Sequence, residues 1–245
     1  MKKKFLLIFV LLSFGCSGSG LYKDVQGSLK ASNTTLTISS SPTPTITLLG
    51  RSASEFEVEY VTTTLDSSVA NFLIKDVPTK QPVVFEIIHP SFDPVISFPF
   101  DLTTTSTVTL PALAAGTTAI IIDGSATTAG INDLGTGSVD TTAGMILGQL
   151  SSVGSVDGGC SPLTSVQIKE KETGITAAVL GPFYFDSLGN VVNSGHFTDT
   201  QCSYVMANIL AGNYDLEYLD ASLQIISIYE VVVLPGNVTF GMDVP

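Results

Sequence analysis

The chain is poor in the side chains that most often carry chemistry. Among its 245 residues there is no tryptophan, there are two histidines and three cysteines, and only 13% of positions are charged. Ten basic residues stand against 22 acidic ones, which gives a formal net charge of −12. Binding to phosphate requires concentrated Lys and Arg, so the composition argues against a nucleic-acid partner. The acidic residues are spread along the chain, where they favour solubility.

Patterns with helical periodicity are also scarce, and strand patterns fill most of the chain. Residues 55–60 alternate between acidic and apolar side chains, and residues 82–88 form an apolar run rich in β-branched side chains. A longer run from Ile225 to Leu234 ends at the turn-forming pair Pro235-Gly236. Many short strands separated by turns, without helices, predict an all-β fold of the sandwich type.

The first sixteen residues have the layout of an export signal. Three lysines at positions 2–4 precede the apolar run Phe5 to Leu12, and Ser13, Phe14 and Gly15 lead to Cys16. The apolar run is shorter than the roughly 20 residues that a membrane-spanning helix needs. This layout resembles the bacterial lipoprotein signal, in which the cysteine is acylated and becomes the new N-terminus. The resemblance implies a signal peptide over residues 1–15 and lipid attachment at Cys16.

Ordinary signal cleavage after Gly15 is the alternative, because Ser13 and Gly15 also fit the small-x-small rule. Removal of the three lysines leaves seven basic against 22 acidic side chains, a net charge near −15. The small residues 17–20 suit a flexible tether. In lipoproteins of Gram-negative bacteria, a serine such as Ser17 after the cysteine implies the outer membrane. We therefore expect a cell-envelope protein, periplasmic or surface-exposed, that contacts the membrane through its lipid.

The distribution of strand and turn patterns predicts two β-sandwich domains in tandem. We expect a lipidated tether and Ser/Thr/Pro-rich linker over residues 16–50 and a first domain over residues 51–122. Residues 123–143 are rich in Gly, Thr, Asp and Ser and have little periodicity, which indicates a second linker. The second domain then spans residues 144–245.

The second domain resembles the carboxypeptidase regulatory-like module, a transthyretin-like β-sandwich grouped with carbohydrate-binding-like folds. The motifs that match are Gly144 to Gly148, Pro162 to Ile168, Thr198 to Tyr204, and Ile209 to Leu216. The resemblance implies structural roles for these segments. We expect Tyr204 and Tyr214 to fill the core, Asp199 to bond turn amides, and Gly212 to adopt a turn conformation that residues with a Cβ resist.

Two cysteines lie in the second domain, and we predict a disulfide between them. Cys202 stands where the resembled family has a glycine, and Cys160 lies in the loop between the first two strands. In an oxidising compartment, a bridge closing a loop of about 40 residues contributes roughly 4 kcal/mol. Two thiols or a metal pair are the alternatives, but no His or further Cys lies at the spacing of a zinc site.

The first domain shows a weaker internal similarity to the second. The segment 82–87 parallels 162–167, and Leu113 to Gly116 parallels Ile209 to Gly212. We interpret the first domain as a diverged copy of the second. The extra residues of the second domain then form an inserted hairpin that turns at Leu188-Gly189-Asn190.

No motif in the sequence predicts catalysis, a metal or a cofactor. His89 precedes a proline and His196 follows a glycine, and neither has a visible nucleophile partner. No Gly-x-Ser-x-Gly elbow is present, although a Ser-His-Asp site assembled only in space stays open. The acidic loop from Asp133 to Asp140 lacks the oxygen spacing of a calcium site, and we interpret it as a solvated turn.

Three functional hypotheses follow. The first is a non-enzymatic envelope lipoprotein whose sandwiches serve as a structural or protein-interaction module. The second is carbohydrate binding, which depends on fold analogy alone. The third is a hydrolase whose site lies in the irregular loops. Envelope proteins and glycans are accordingly the expected partners.

Overall fold

The fold is all-β, as predicted. The computed structural model describes residues 22–31, 45–50, 58–64, 71–79, 82–90, 92–103, 107–150, 163–197 and 202–244. Cys16 and Cys160 therefore lie outside the described residues. The strands are β1 (Tyr22–Ala31), β2 (Thr45–Gly50), β3 (Val58–Thr64), β4 (Asn71–Pro78), β5 (Val83–Ile88), β6 (Val95–Ser97), β7 (Thr107–Ala112), β8 (Gly144–Leu150), β9 (Leu163–Glu170), β10 (Leu180–Phe185), β11 (Val191–Val192), β12 (Ser203–Ile209), β13 (Gly212–Asp220), β14 (Ile225–Val233) and β15 (Val238–Val244).

Several predicted strands and turns are confirmed. The apolar runs form β5 and β14, and the segment after the second predicted linker forms β8. Gly236, between β14 and β15, has a φ of 68°, and Gly189, between β10 and β11, has a φ of 82°. Both values lie in the left-handed region that glycine tolerates best. The Pro-Gly turn and the hairpin turn are therefore where the sequence indicated.

The described strands form one nine-stranded sheet and two three-stranded sheets. The large sheet has the order β11-β10-β12-β8-β15-β6-β5-β2-β3. The small sheets have the orders β4-β1-β7 and β14-β13-β9. Strand β15 is parallel to both of its neighbours, β6 and β8. It thereby joins strands from the first half of the chain to strands from the second half.

The two small sheets cover opposite faces of the large one. Directly opposed residues on neighbouring strands share a face, and Val95 lies opposite both Ile87 and Val238. Ile87 belongs to the first core, beneath β4-β1-β7. On the other face, Tyr204 of β12 belongs to the second core, beneath β14-β13-β9. A third core continues the Val95 face under the segment between β7 and β8.

The structure differs from the predicted domain boundaries in two respects. Residues 22–31 and 45–50, which we expected in the tether and linker, form β1 and β2. In the predicted linker 123–143, Ile131 is fully buried in the third core. The division into two domains stays a prediction, but its linker contributes to the hydrophobic core.

One element was not expected. Helix α1 (Thr117–Asp123) begins at the end of the predicted first domain, and the short 3₁₀ helix Asn132–Leu134 follows it. Ile121 and Ile122 of α1 are buried in the third core. The burial of these two side chains explains why the segment is helical despite its Thr and Ile residues, which have low helix propensity.

The internal repeat is not supported by the structure. Ile209 to Gly212 is the tight connection between β12 and β13, whereas Leu113 to Gly116 leads from β7 into α1. In addition, β5 lies in the large sheet and β9 lies in a small one. The matched segments therefore occupy different places in the fold. We attribute their short sequence similarity to the composition that strands and turns have in common.

Gly148 allows a close approach of the sheet to a ring in the second core. A Cβ added at Gly148 would lie 2.2 Å from ring atoms of Tyr204, a side chain with no solvent exposure. Gly212 also lies near a ring, since its Cβ would be 3.1 Å from Tyr214. Gly212 is not among the residues with positive φ, so the predicted turn conformation is wrong. The tyrosine ring restricts this position to a small residue.

Gly148→Ala should lower the free energy of unfolding by about 1–3 kcal/mol, the usual cost of overpacking a core. The ring of Tyr204 cannot withdraw, because it is enclosed. Denaturant unfolding measures the loss. In a Tyr204→Leu background the same change should cost clearly less, because the clash is removed. Equal costs in both backgrounds would contradict the assignment of the clash to Tyr204.

Candidate functional site

A cleft of about 240 Å³ lies between α1 and the large sheet. Its volume is slightly below the range usual for small-molecule sites. Apolar side chains form most of the lining, and Thr117, Gln149 and Ser203 supply its polar groups. The lining residues are Leu113, Thr117, Ile120, Ile121, Leu147, Gly148, Gln149, Phe185, Gly189, Ser203 and Phe240. None of these residues has an ionisable side chain of the type used in acid–base catalysis.

Asp93 holds the helix that forms one wall of this cleft. The Gly116 N–H donates to Asp93 Oδ1 at 2.9 Å, and the Thr118 N–H donates to Oδ2 at 2.6 Å. Gly116 has a φ of 86°, so the chain turns sharply at the start of α1. A carboxylate at this end is favourable because the first N–H groups of a helix have no intrahelical partner. The role of Asp93 is therefore to position α1.

In the acidic loop that follows α1, carboxylates and a side-chain amide form hydrogen bonds with nearby residues of the same segment. Asp133 Oδ2 accepts the Gly130 N–H at 2.9 Å, and the Asn132 side-chain amide donates to Asp123 Oδ1 at 2.7 Å. At Asp140, hydrogen bonds from the hydroxyl and amide of Thr142 lower the pKa of the carboxyl. Over the described parts of the chain, no group of three or more His, Cys, Asp or Glu side chains is placed to hold a metal ion.

The two histidines lie in different environments. His89 is buried, with its ring centroid 4.9 Å from that of Phe92. His196 is exposed, and its backbone carbonyl accepts a hydrogen bond from the Ser194 hydroxyl. Neither histidine lines the cleft. The structure therefore does not bring the candidate histidines to the cleft beside α1.

An aromatic column crosses the second core. Successive ring centroids lie 4.9, 6.0, 6.0 and 5.6 Å apart, within the range of favourable edge contacts. Its members, in order, are Tyr184, Phe197, Tyr204, Tyr218 and Tyr229. The hydroxyls of Tyr204 and Tyr218 share a hydrogen bond of 2.8 Å. The Val166 N–H donates to the Tyr184 hydroxyl at 3.3 Å.

The residues of the resembled motif serve the core, where the structure describes them. Tyr204 and Tyr214 are buried, and the Tyr214 hydroxyl donates to the Leu210 carbonyl at 2.8 Å. Cys202 is buried with a φ of 45°. The left-handed backbone at Cys202 is a conformation that glycine adopts more readily than other residues. Asp199 and Cys160 lie outside the described residues, so the turn and the disulfide pairing stay predictions.

A ladder of opposite charges on the sheet β14-β13-β9 was missed in the sequence. Lys169 Nζ lies 3.0 Å from Glu217 Oε1, and the Gln167 side-chain amide donates to the same carboxylate. Lys171 pairs with Glu230 and lies 4.0 Å from Asp215. The signal was present as Lys-x-Lys at the end of β9 and Asp-x-Glu in β13, because alternate residues of a strand share a face. Their pairing depends on strand register.

No helix among the described residues is both long and apolar enough to span a bilayer.

No family model matches the chain, and a search of curated proteins found no match. Solved structures with some similarity include the minor pilin of Streptococcus agalactiae, at 8% identity and a TM-score of 0.28, covering 90% of this chain and 97% of the pilin. The TIE protein of Bacillus anthracis is 11% identical with a TM-score of 0.25, and the match covers 91% of this chain and 34% of that protein.

The pilus backbone protein of Streptococcus pneumoniae is 9% identical with a TM-score of 0.25. The match covers 92% of this chain and 64% of that protein. Scores this low do not establish a common arrangement of strands. We therefore transfer no function from these three proteins to this chain.

Two buried tyrosines make the free energy of unfolding decrease at alkaline pH. Burial raises the pKa of Tyr204 well above its ordinary value of 10.0, and burial also raises the pKa of Tyr218. Below pH 10 both groups are neutral in the folded and unfolded states. Above pH 10 the unfolded chain releases their protons while the folded chain retains them, so the free energy of unfolding falls as pH rises.

We expect this fall to be shallower in the double variant Tyr204→Phe/Tyr218→Phe, by up to about 1.4 kcal/mol per pH unit for each tyrosine removed. Denaturant unfolding from pH 8 to 11 measures the slope. Phe197→Leu is the control, because it shortens the same column without removing a titrating group. It should lower stability equally across this pH range. An unchanged slope in the double variant would refute the role of the two hydroxyls.

Proposed function

We propose that the chain is a non-enzymatic cell-envelope lipoprotein, held at the membrane by an acyl group on Cys16. Its β-sandwiches act as a structural or protein-interaction module at the membrane surface. The N-terminal sequence supports the location, and the internal organisation of the folded residues supports the role. The proposal specifies neither a periplasmic nor an exposed position.

The joining of both halves through β15 is the observation that carries the structural role. Strand β15 pairs with β6 on one side and β8 on the other. Polar groups reinforce this joint, because the buried Thr239 hydroxyl of β15 donates to the Val232 carbonyl of β14 at 2.6 Å. Val232 also packs with Val84 and Ile96 from the first half. Such an arrangement resists bending between the halves, which suits a rigid spacer or scaffold.

The proposed anchor would place this scaffold close to the bilayer. Six residue steps separate Cys16 from Tyr22, the first residue of β1. Even a fully extended chain covers only about 3.5 Å per residue, or roughly 20 Å in all. Lipid attachment at Cys16 would therefore keep β1 near the headgroups, where the sandwiches could contact other envelope components.

Cys16→Ser should move the protein from the membrane fraction to the soluble fraction, because stable anchoring depends on the acyl chains. Cell fractionation followed by immunoblotting measures the distribution. Cys160→Ser is the matched control and should stay with the membrane. Mass spectrometry of the mature N-terminus gives the independent test. A mature chain that begins elsewhere, or an unmodified Cys16, would refute the anchor.

We also propose that Cys160 and Cys202 form a disulfide in the exported protein. The burial of Cys202 in the second core supports a structural role for its sulfur. Non-reducing peptide mapping should recover a cross-linked pair of peptides from the wild type and from Cys16→Ser. Cys160→Ser should lower the free energy of unfolding by roughly 4 kcal/mol, as expected for a loop of about 40 residues. Recovery of both cysteines as thiols would exclude the bridge.

A further inference from the structure

Two turns in the second half of the chain share one hydrogen-bond pattern. Between β10 and β11, Asp186 Oδ1 accepts the N–H groups of Leu188 at 2.9 Å and Asn190 at 2.8 Å. Between β13 and β14, Asp220 Oδ1 accepts the two corresponding N–H groups, at 2.8 and 2.9 Å. In both turns the backbone carbonyl of the aspartate accepts the N–H group three residues later. Both carboxylates are therefore engaged in shaping their turns.

Each of these turns presents a leucine to solvent. Leu188 is 79% exposed and Leu223 is 71% exposed. The matching hydrogen bonds place Leu223 at the position that Gly189 has in the other turn, and the φ angles are 59° and 82°. A left-handed backbone is unfavourable for a bulky side chain, and glycine would form the turn without this strain. A strained and exposed leucine indicates a contact outside the chain.

The two turns lie at the same end of the molecule. Strands β6, β8 and β15 are mutually parallel, and two antiparallel pairings give β10 the same direction, so Leu188 follows the ends of these strands. Tyr204 of β12 lies opposite Gly148, near the end of β8. Its hydroxyl shares a hydrogen bond with that of Tyr218, near the end of β13. The turn that holds Leu223 is therefore at this end as well.

The first strand begins at this end too. Strand β7 packs against β6, and the Asp93 N–H, just before β6, donates to the Leu113 carbonyl, just after β7, at 2.9 Å. Strand β7 therefore runs opposite to β6, and β1 is parallel to β7. The first residue of β1, Tyr22, is 62% exposed. We call the end that carries Tyr22, Leu188 and Leu223 the leucine end.

We propose that the leucine end rests on the lipid bilayer, with Leu188 and Leu223 inserted at the boundary of the acyl chains. This inference rests on the proposed acyl group at Cys16 and adds which end of the molecule faces the membrane. A tether of six residue steps keeps Tyr22 within roughly 20 Å of the lipid, and the two turns lie at the same end. Tyrosine favours the headgroup region, and exposed leucine gains from leaving water.

Charge assigns different roles to the anchor and to the leucines. The net charge of −12 opposes the approach of the chain to anionic lipids, so the leucines would not recruit it from solution. The acyl group holds the chain at the membrane, and the two leucines determine its orientation. Vesicles of phosphatidylcholine carry no net charge and are therefore the appropriate probe.

Tryptophan fluorescence tests the orientation. The chain has no tryptophan, so Leu188→Trp and Leu223→Trp each introduce a single fluorophore. The acylated full-length chain is reconstituted in phosphatidylcholine vesicles with ordinary or brominated acyl chains, which quench an indole that they contact. We expect a blue shift and quenching for both variants. Leu210→Trp is the matched control, because Leu210 is 75% exposed in the turn between β12 and β13, at the opposite end, and it should show neither.

Flotation of the vesicles separates failure of the orientation from failure of the anchor. A wild-type chain that does not float with the vesicles would refute both proposals. Chains that float without quenching at either turn, or with equal quenching at Leu210→Trp, would overturn the orientation alone. If Leu223→Trp does not fold, Leu188→Trp decides the result.

Leu223→Gly tests the interpretation of the strained turn. Glycine removes the cost of the left-handed backbone, so this variant should unfold at the same or a higher denaturant concentration than the wild type. In the vesicles it should weaken the quenching of Leu188→Trp, because the leucine end loses one of its apolar contacts. A clear loss of stability, with quenching unchanged, would assign Leu223 to the fold and overturn its role at the bilayer.

Discussion

The parallel pairing of β15 with both β6 and β8 is the constraint on which the rest of the structure depends. Without β15, β6 would end one sheet and β8 would end another. Val238 and Phe240 of β15 also contribute to the third core, beneath α1. Parallel strands are usually buried on both faces. Strand β15 meets this condition. Thr239 faces the small sheet β14-β13-β9, and Val238 and Phe240 face α1.

The polar groups of the interior are arranged to hold this scaffold together. Tyr204 and Tyr218 satisfy each other's hydroxyls in the second core, and a buried hydroxyl without a partner would be costly. Asp93 fixes the start of α1, and Asp186 accepts N–H groups from Leu188 and Asn190 in the hairpin turn. These groups are therefore engaged in positioning the backbone. The cleft beside α1 has only neutral polar groups in its lining.

The sequence predicted the features that depend on local pattern. The apolar run of β14, the Pro-Gly turn and the hairpin at Gly189 could be located because alternation and turn chemistry are local properties. Strand β1 could also have been found, since Val25, Gly27 and Leu29 alternate and are buried. The surrounding small and polar residues led instead to the prediction of a tether.

Features that depend on distant residues could not be predicted in this way. Helix α1 is held by Asp93, 25 residues before Thr118, and by the burial of two isoleucines against the sheet. The site residues show the same limit. Cys202 was singled out because it replaces a glycine in a resembled motif, and its left-handed backbone explains that position. The charge ladder at Lys169 and Glu217 required the register between β9 and β13.

The position of β15 in the chain has a consequence for the order of folding. Val238 pairs with Val95 and with Met145, so synthesis must pass residue 238 before the large sheet can close. Contacts this distant in sequence form slowly because of their loop-closure entropy. During synthesis, the first half has an open edge at β6 until β15 arrives. The large sheet thus stays incompletely assembled for as long as residues 238–244 are withheld.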